Sequence, residues 1–347
     1  MDDFEKKLYE ILIKESLHTL FSSTKALKKW LSDQNKKYDL LGIFAKRYGK
    51  SLYENVNAIK VLGMESPIEL SSILVNVNIL QKIVSRHPNT VEALEMTLEK
   101  DQRGFSPIIT SMDGVEYANM TDKFLVLGKP GAGKTTFLKT ITLQTLDGKI
   151  NKGNIPFLIS LKDFSEEGVS FEDYLENQLE ECGVPEAKVF VQRILEAGSA
   201  LLLLDGLDEI TSDAFETIKK TRKFSQKYGK CKYVISCRTA SYNFWFEKFE
   251  DIEIADFDDE QILNFTRNWF RETPKSVEKF HQELNQNFHL KELAKTPLLL
   301  TLLCISFQQN LGFPPNRAEL FEESIQLLLK KWDSQREIKR EEPYKFL

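Results

Sequence analysis

Between residues 122 and 257 the chain alternates short apolar runs with longer stretches of helical period. The runs are Phe124 to Leu127 (FLVL), Pro156 to Leu161 (PFLISL), Ala200 to Asp205 (ALLLLD), Lys232 to Cys237 (KYVISC) and Ile252 to Phe257 (IEIADF). Continuous apolar runs of this length predict strands buried on both faces. The intervening stretches, near 134–146, 171–196 (read as two helices) and 213–228, predict helices. Strands alternating with helices imply an α/β fold, a parallel, doubly wound five-stranded sheet flanked by helices. Such sheets bind ligands beyond the carboxyl ends of their strands.

The flanking segments read differently. Residues 1–62 carry helical stripes, Phe4, Leu8, Ile11, Leu12 and Leu17 in one, and Leu40, Leu41, Phe44 and Tyr48 in another. They predict an α-helical N-terminal domain. Gly63 to Pro67 (GMESP) breaks the pattern, and Ile73 to Leu80 (ILVNVNIL) alternates with period two, as a strand with one polar face does. Thr90 to Lys100 reads as a helix and 101–121 as a loop-rich approach, so 63–121 is a linker into the core at 122–257. After Phe257 only helices are expected, over 259–270, 276–287, 290–295, 297–308 and 317–332, giving a helical domain at 258–313 and a further segment at 314–347. No internal repeat or low-complexity tract appears.

Composition narrows the class. The 347 residues are 41% hydrophobic and 29% charged, with net charge −5, which suits a globular protein and supplies no global attraction to nucleic acid. Lys219 to Lys232 (KKTRKFSQKYGKCK) holds seven bases and no acid. A nucleic-acid contact is one reading of that stretch; a solvated outer helix face is the plainer one. The start, MDDFEKK, lacks the basic region of a secretory signal, and the longest apolar run, Pro297 to Phe307, is too short to span a bilayer, so a cytoplasmic location without membrane contact is expected. Cys182, Cys231, Cys237 and Cys304 show no C-x-x-C spacing, which removes zinc and redox motifs. His18 reads as a surface or cap residue.

The candidate chemistry sits at strand ends. Gly128 to Thr136 (GKPGAGKTT) fills the pattern G-x-x-x-x-G-K-[ST] with Gly128, Gly133, Lys134 and Thr135. Glycines let successive N–H groups turn toward anionic oxygens, and the following helix adds its positive end. Lys134 is placed to reach β/γ-phosphates and the Thr135 hydroxyl to ligate Mg²⁺. Lys129, Pro130, Gly131, Ala132 and Thr136 complete a loop expected to bind ATP or ADP. The run LLLLDGLDEI delivers Asp205 to a strand tip, where it would hold the Mg²⁺ shell. Asp208 and Glu209 follow as candidates to orient or deprotonate the attacking water; the alternative is that one of them caps the next helix. Arg238 ends the fourth run, where it could sense a γ-phosphate or simply pair with a nearby acid. Cys237 beside it reads as a small core residue.

Taken in order, GKPGAGKTTFLK, IPFLISLKDF, LLLLDGLDEI, YVISCRT and ELAKTPLLLTLLC resemble NACHT-domain NTPases, members of the signal-transduction ATPases with numerous domains and relatives of the NOD-like receptors. The likeness covers about residues 65–333. Its most specific segment is DGLDE, where Gly206 stands in the place that holds the catalytic glutamate of AAA+ ATPases. The resemblance implies a P-loop NTPase core and helical domain, and assigns the adenine end to Pro297. It implies a switch, closed with ADP and self-associating with ATP, with an unknown activating ligand or effector partner. Prokaryotic relatives serve antiviral defence and animal ones innate immunity. Ala318 to Trp332 resembles the first helix of a winged-helix domain, the family histidine of that domain has no counterpart after Pro314, and the chain therefore reads as truncated. The rival readings are an AAA+-like remodelling ATPase, with Arg267 or Arg271 as a finger, and a nucleotide-stabilised scaffold with negligible hydrolysis.

Overall fold

The computed structural model describes residues 45–59, 68–80, 111–210, 213–241, 246–310 and 312–313. The helices expected over residues 1–44, 90–100 and 317–332 lie outside the described residues. The chain divides into two compact units. The first takes residues up to Val56, Val77–Pro130 and Lys134–Ala255; the second takes Asn57–Asn76, Gly131–Gly133 and Asp256 onward.

The first unit is built on a seven-stranded sheet. Its strands are β1 (Asn78–Leu80), β2 (Ser111–Asp113), β3 (Lys123–Gly128), β4 (Ile155–Ser160), β5 (Ala200–Asp205), β6 (Lys232–Arg238) and β7 (Glu250–Ile254). They lie in the order β2-β1-β7-β3-β6-β5-β4. The five strands from β7 to β4 are parallel, and they correspond to the five apolar runs of the sequence. The expectation of a five-stranded sheet is corrected at one edge. There β1 pairs antiparallel with β7, through Ile79 opposite Ile254, and β2 pairs antiparallel with β1. Each of these strands has only three residues, and Ser111–Asp113 is too short to print a period on the sequence. Of the alternating stretch Ile73 to Leu80, only the last three residues enter the sheet; Leu70–Ile73 is a helical turn.

Besides a helix at Lys50–Asn57 ahead of the sheet, this unit has α1 (Gly114–Met120), α2 (Lys134–Leu146), α3 (Leu161–Glu167), α4 (Phe171–Glu181), α5 (Ala187–Ala197) and α6 (Ala214–Lys227). Residues 114–120, expected as loop, fold as α1 because Asp113 accepts from the N–H groups of Val115 at 2.8 Å and Glu116 at 2.9 Å. Ser160 and Ser170 cap α3 and α4 in the same way. Each cap satisfies donors that a helix start leaves orphaned.

Three helices are tied together by stacked rings. Phe171 lies between Phe164, 4.0 Å away between centroids and tilted 20°, and Phe224, 4.7 Å away and tilted 22°. All three are buried. Lys220 sits 5.8 Å over the Phe164 ring and donates to the carbonyls of Gly168 and Val169. The basic run is engaged in further local contacts: Lys219 pairs with Glu216 at 2.8 Å, Lys227 with Glu172 at 2.7 Å and Lys232 with Asp122 at 3.2 Å.

The second unit holds α7 (Asp259–Trp269), α8 (Pro274–Gln286), α9 (Phe288–Ala294) and α10 (Pro297–Asn310). Asp258 and Gln261 form a reciprocal capping box at the start of α7. The core of this unit is aromatic, with Phe280 packed against Phe307 at 5.2 Å and Phe313 at 5.0 Å. No helix among the described residues is long and apolar enough to cross a membrane.

The stack predicts a measurable stability effect. Truncating a buried aromatic removes its transfer free energy and leaves a cavity, about 3–5 kcal/mol in all. Phe171→Ala should therefore lower the urea midpoint of the first unit strongly, and Phe171→Leu much less, because it keeps most of the buried volume. Equal midpoints for Phe171→Ala and the unaltered chain would show that the stack does not hold α3, α4 and α6 together.

Candidate functional site

The carboxyl ends of β3, β6 and β5 are brought level by the ladder. Leu125 and Leu204 both lie opposite Ile235, and Gly128 lies opposite Arg238. Asp205 is thus beside Ser236, and the first glycine of the phosphate loop is beside Arg238. Three of the sequence-predicted positions converge here because the inner strands are buried along their length.

After Gly128 the chain leaves the sheet and enters α2, a 13-residue helix with no acid in its first turn. The positive end of the helix is therefore not neutralised locally. Lys134 donates to the carbonyls of Gly128 at 2.9 Å and Lys129 at 3.2 Å. Partial burial lowers the Lys134 ammonium pKa, Asp208 raises it and Arg238 lowers it again. Thr135 is exposed at the mouth of the helix, as are Lys129 and Pro130 ahead of it, while Thr136 is half-buried. Gly131 and Gly133 adopt φ of +76° and +91°, the left-handed region that turns N–H groups inward.

Within the second unit, Gly131–Gly133 meet the start of α10. The Leu298 N–H donates to the Gly131 carbonyl at 3.3 Å. A Cβ on Gly131 would lie 2.8 Å from the Leu298 Cβ, so only glycine fits there. Pro297 is near Gly133, its Cγ 3.9 Å from where a Cβ would sit. Ala132 is buried between these glycines.

The acidic turn is organised by Ser236, which sequence reasoning missed. Its hydroxyl donates to Asp205 Oδ1 at 2.5 Å and accepts from the Gly206 N–H at 2.8 Å. Its carbonyl accepts from the Leu207 N–H at 2.9 Å. Gly206 turns with φ of +80°, and Glu209 closes the turn by donating its N–H to the Gly206 carbonyl. The available signal was a single small polar residue inside the apolar run YVISC.

The turn assigns different surroundings to the two following acids. Asp208, with its side chain only 4% exposed, accepts from the Arg238 backbone N–H at 2.8 Å through Oδ1 and pairs with Arg238 Nε at 2.9 Å through Oδ2. Glu209 is 56% exposed and 3.7 Å from the Arg238 guanidinium. Neither caps the next helix: Asp213 does, accepting from Glu216 N–H. The alternative of an ordinary ion pair for Arg238 is thus realised by Asp208. Cys237 is fully buried and its thiol is pushed up to about 12 by desolvation first and Asp208 second, so it is an inert core thiol.

These residues fit a nucleotide with a divalent cation. The glycine turns, the free helix end and Lys134 suit phosphate oxygens. Among the described residues no group of three or more His, Cys, Asp or Glu could hold a metal ion by itself. A cation held by Thr135 and Asp205 would therefore complete its shell with waters and phosphate oxygens, as Mg²⁺ commonly does.

The family model of the NACHT domain matches residues 122–273. This stretch is a NACHT domain. The NACHT domain runs from β3 through α7 and contains the phosphate loop, the acidic turn and Arg238. It identifies a P-loop NTPase and implies nucleotide binding. Among solved structures the chain is similar to a single-substitution variant of RuvB from Thermotoga maritima, with 11% identity, a TM-score of 0.31, and coverage of 71% of this chain and 69% of that one. A likeness at that level bears on no residue of the NACHT domain. Among curated proteins no match is found.

Removal of the Lys134 ammonium should weaken nucleotide binding about tenfold to hundredfold, since a charge-assisted contact is worth about 1.5–3 kcal/mol. Calorimetric titration of Lys134→Ala with ADP and ATP checks this. An unchanged affinity would remove Lys134 from the phosphate site.

Proposed function

We propose that the protein is an ATP-binding, slowly hydrolysing signal-transduction switch of the class with numerous domains, prokaryotic in type, whose nucleotide state controls conformation and self-association in antiviral or innate immune defence. The observation that carries the reading is the division of the two acids. Asp208 is spent on Arg238 through both carboxylate oxygens. Glu209 is left as the acid that can orient or deprotonate water, and it is exposed and loosely held. A base displaced by about an angstrom can lose about a hundredfold in rate. Slow turnover suits a state that must persist.

The other roles follow from position. Gly128 to Thr136 cradle the phosphates, Lys134 supplies charge, and Thr135 and Asp205 hold Mg²⁺, which neutralises phosphate charge when bound. Pro297 is the contact for the adenine end. Arg238 exchanges its partner Asp208 for a γ-phosphate and so distinguishes ATP from ADP. The AAA+ motor reading is disfavoured by Gly206, which leaves no acid beside Asp205. The salt-bridged lysines of α6 favour a structural face over a nucleic-acid partner.

Two measurements test the proposal. Glu209→Gln should leave nucleotide affinity unchanged and slow hydrolysis about 10²–10⁴-fold, the usual worth of a general base. Asp208→Asn should instead release Arg238 and increase the preference for ATP over ADP, because ATP no longer has to break the Asp208–Arg238 pair. Wild-type hydrolysis in Glu209→Gln would end the base assignment. Sizing chromatography should show a larger species with a non-hydrolysable ATP analogue than with ADP. Turnover well above about one per second, a motor-like rate, with no nucleotide-dependent change in size or shape, would end the switch reading.

A further inference from the structure

The geometry points to Ser236 as a positioning residue for the metal-nucleotide site, acting through Asp205; the inference rests on the nucleotide-binding reading above. Asp205 is the last residue of β5, and the chain turns immediately at Gly206 with positive φ. A carboxylate at such a tip can rotate about its side-chain bonds, and each rotation moves the oxygen that must face a cation. Ser236 prevents this. It is 1% exposed, so water does not compete for its hydroxyl. It stands on the neighbouring strand, level with Asp205, and donates to Oδ1 while the Gly206 N–H donates to its oxygen. Donor and acceptor roles are both filled, so the hydroxyl proton has one direction, toward Asp205.

This relay fixes three things at once. Oδ1 is committed to Ser236, which leaves Oδ2 for a metal-bound water. The Gly206 N–H is tied to the same oxygen, so the carboxylate and the turn cannot move separately. The Leu207 N–H on the Ser236 carbonyl extends the same anchor by one more residue toward Asp208. Groups that hydrogen-bond a metal-binding carboxylate typically contribute about 10–100-fold to metal affinity. A residue that merely satisfied a buried N–H would affect folding stability and leave the metal dependence of nucleotide binding untouched. That difference makes the role testable.

The experiment is calorimetric titration of the full chain with ADP, once in EDTA and once in excess Mg²⁺. It compares the unaltered protein with Ser236→Ala, Ser236→Cys, Asp205→Asn and the double variant Ser236→Ala/Asp205→Asn. Cysteine keeps nearly the size of serine and is a weak donor, so it serves if alanine fails to fold. In both serine variants the affinity in EDTA should stay within about twofold, and the gain conferred by Mg²⁺ should fall about tenfold. The double variant should lose no more of that gain than Asp205→Asn alone, because the serine acts through the carboxylate. Equal losses with and without Mg²⁺, no loss in either serine variant, or additive losses in the double variant would overturn the assignment while leaving nucleotide binding intact. An unaltered chain that binds no nucleotide would instead overturn the functional reading itself, and this one with it.

Discussion

The site depends on the register of the three inner strands. With Gly128 opposite Arg238, and Leu204 opposite Ile235, the phosphate loop, the acidic tip and the arginine emerge at one level. Side chains on a strand alternate faces, so a slip by one residue would turn Ser236 away from Asp205 and carry Arg238 to the opposite face. Leu125, Leu203 and Ile235 are buried on those strands, and every slip would trade their packing for a mismatched surface. The hydrophobic ladder thus does the positioning, and the polar groups at its end inherit their geometry from it.

What the polar groups add is order among near-equivalent acids. Asp208 uses its carboxylate as the continuation of the ladder, accepting the Arg238 N–H where a neighbouring strand would offer a carbonyl. Its second oxygen then meets Nε of the same residue. Charge-assisted bonds in a nearly buried setting are strong. The exposed pair between Glu209 and Arg238, at 3.7 Å, is worth little by comparison. Two acids adjacent in sequence therefore have unequal freedom, and the difference comes from a turn that begins at Gly206.

Those distinctions explain which parts of the protein were legible in its sequence. The five parallel strands were, because burial on both faces writes an uninterrupted apolar run, as in Ala200 to Leu204. The phosphate loop was, because its glycines and lysine are demanded by backbone geometry and charge. The edge strand Ser111–Asp113 was not: it is stabilised by backbone pairing with Asn78–Leu80, which any side chains permit. Helix α1 was hidden for a related reason, since its start rests on one carboxylate, Asp113, and not on a long stripe. Asp208 and Glu209 could be named as candidates but not ranked, because the ranking depends on where a neighbouring strand places Arg238. Ser236 was invisible as a partner of Asp205, since 31 residues separate them and only the sheet brings them together.

The charge balance at the strand ends carries the argument one step further. Lys134 and Arg238 face Asp205, Asp208 and Glu209, so this cluster has one more acid than base. Added phosphate oxygens meet repulsion unless a cation accompanies them or a base is released from its present acid. Lys134 is held by the carbonyls of Gly128 and Lys129, neutral partners that a phosphate can displace at little electrostatic cost. Arg238 is held by a charged partner, and moving it means leaving Asp208 partly unpaired. A ligand shifts a two-state equilibrium only by its difference in affinity for the two states. In the proposed switch, phosphates that reach Lys134 alone would leave the Asp208–Arg238 pair undisturbed, whereas a further phosphate within reach of Arg238 would favour its release. Under the proposed function, discrimination between nucleotides is therefore located in the Asp208–Arg238 pair and not in the phosphate loop that binds them both.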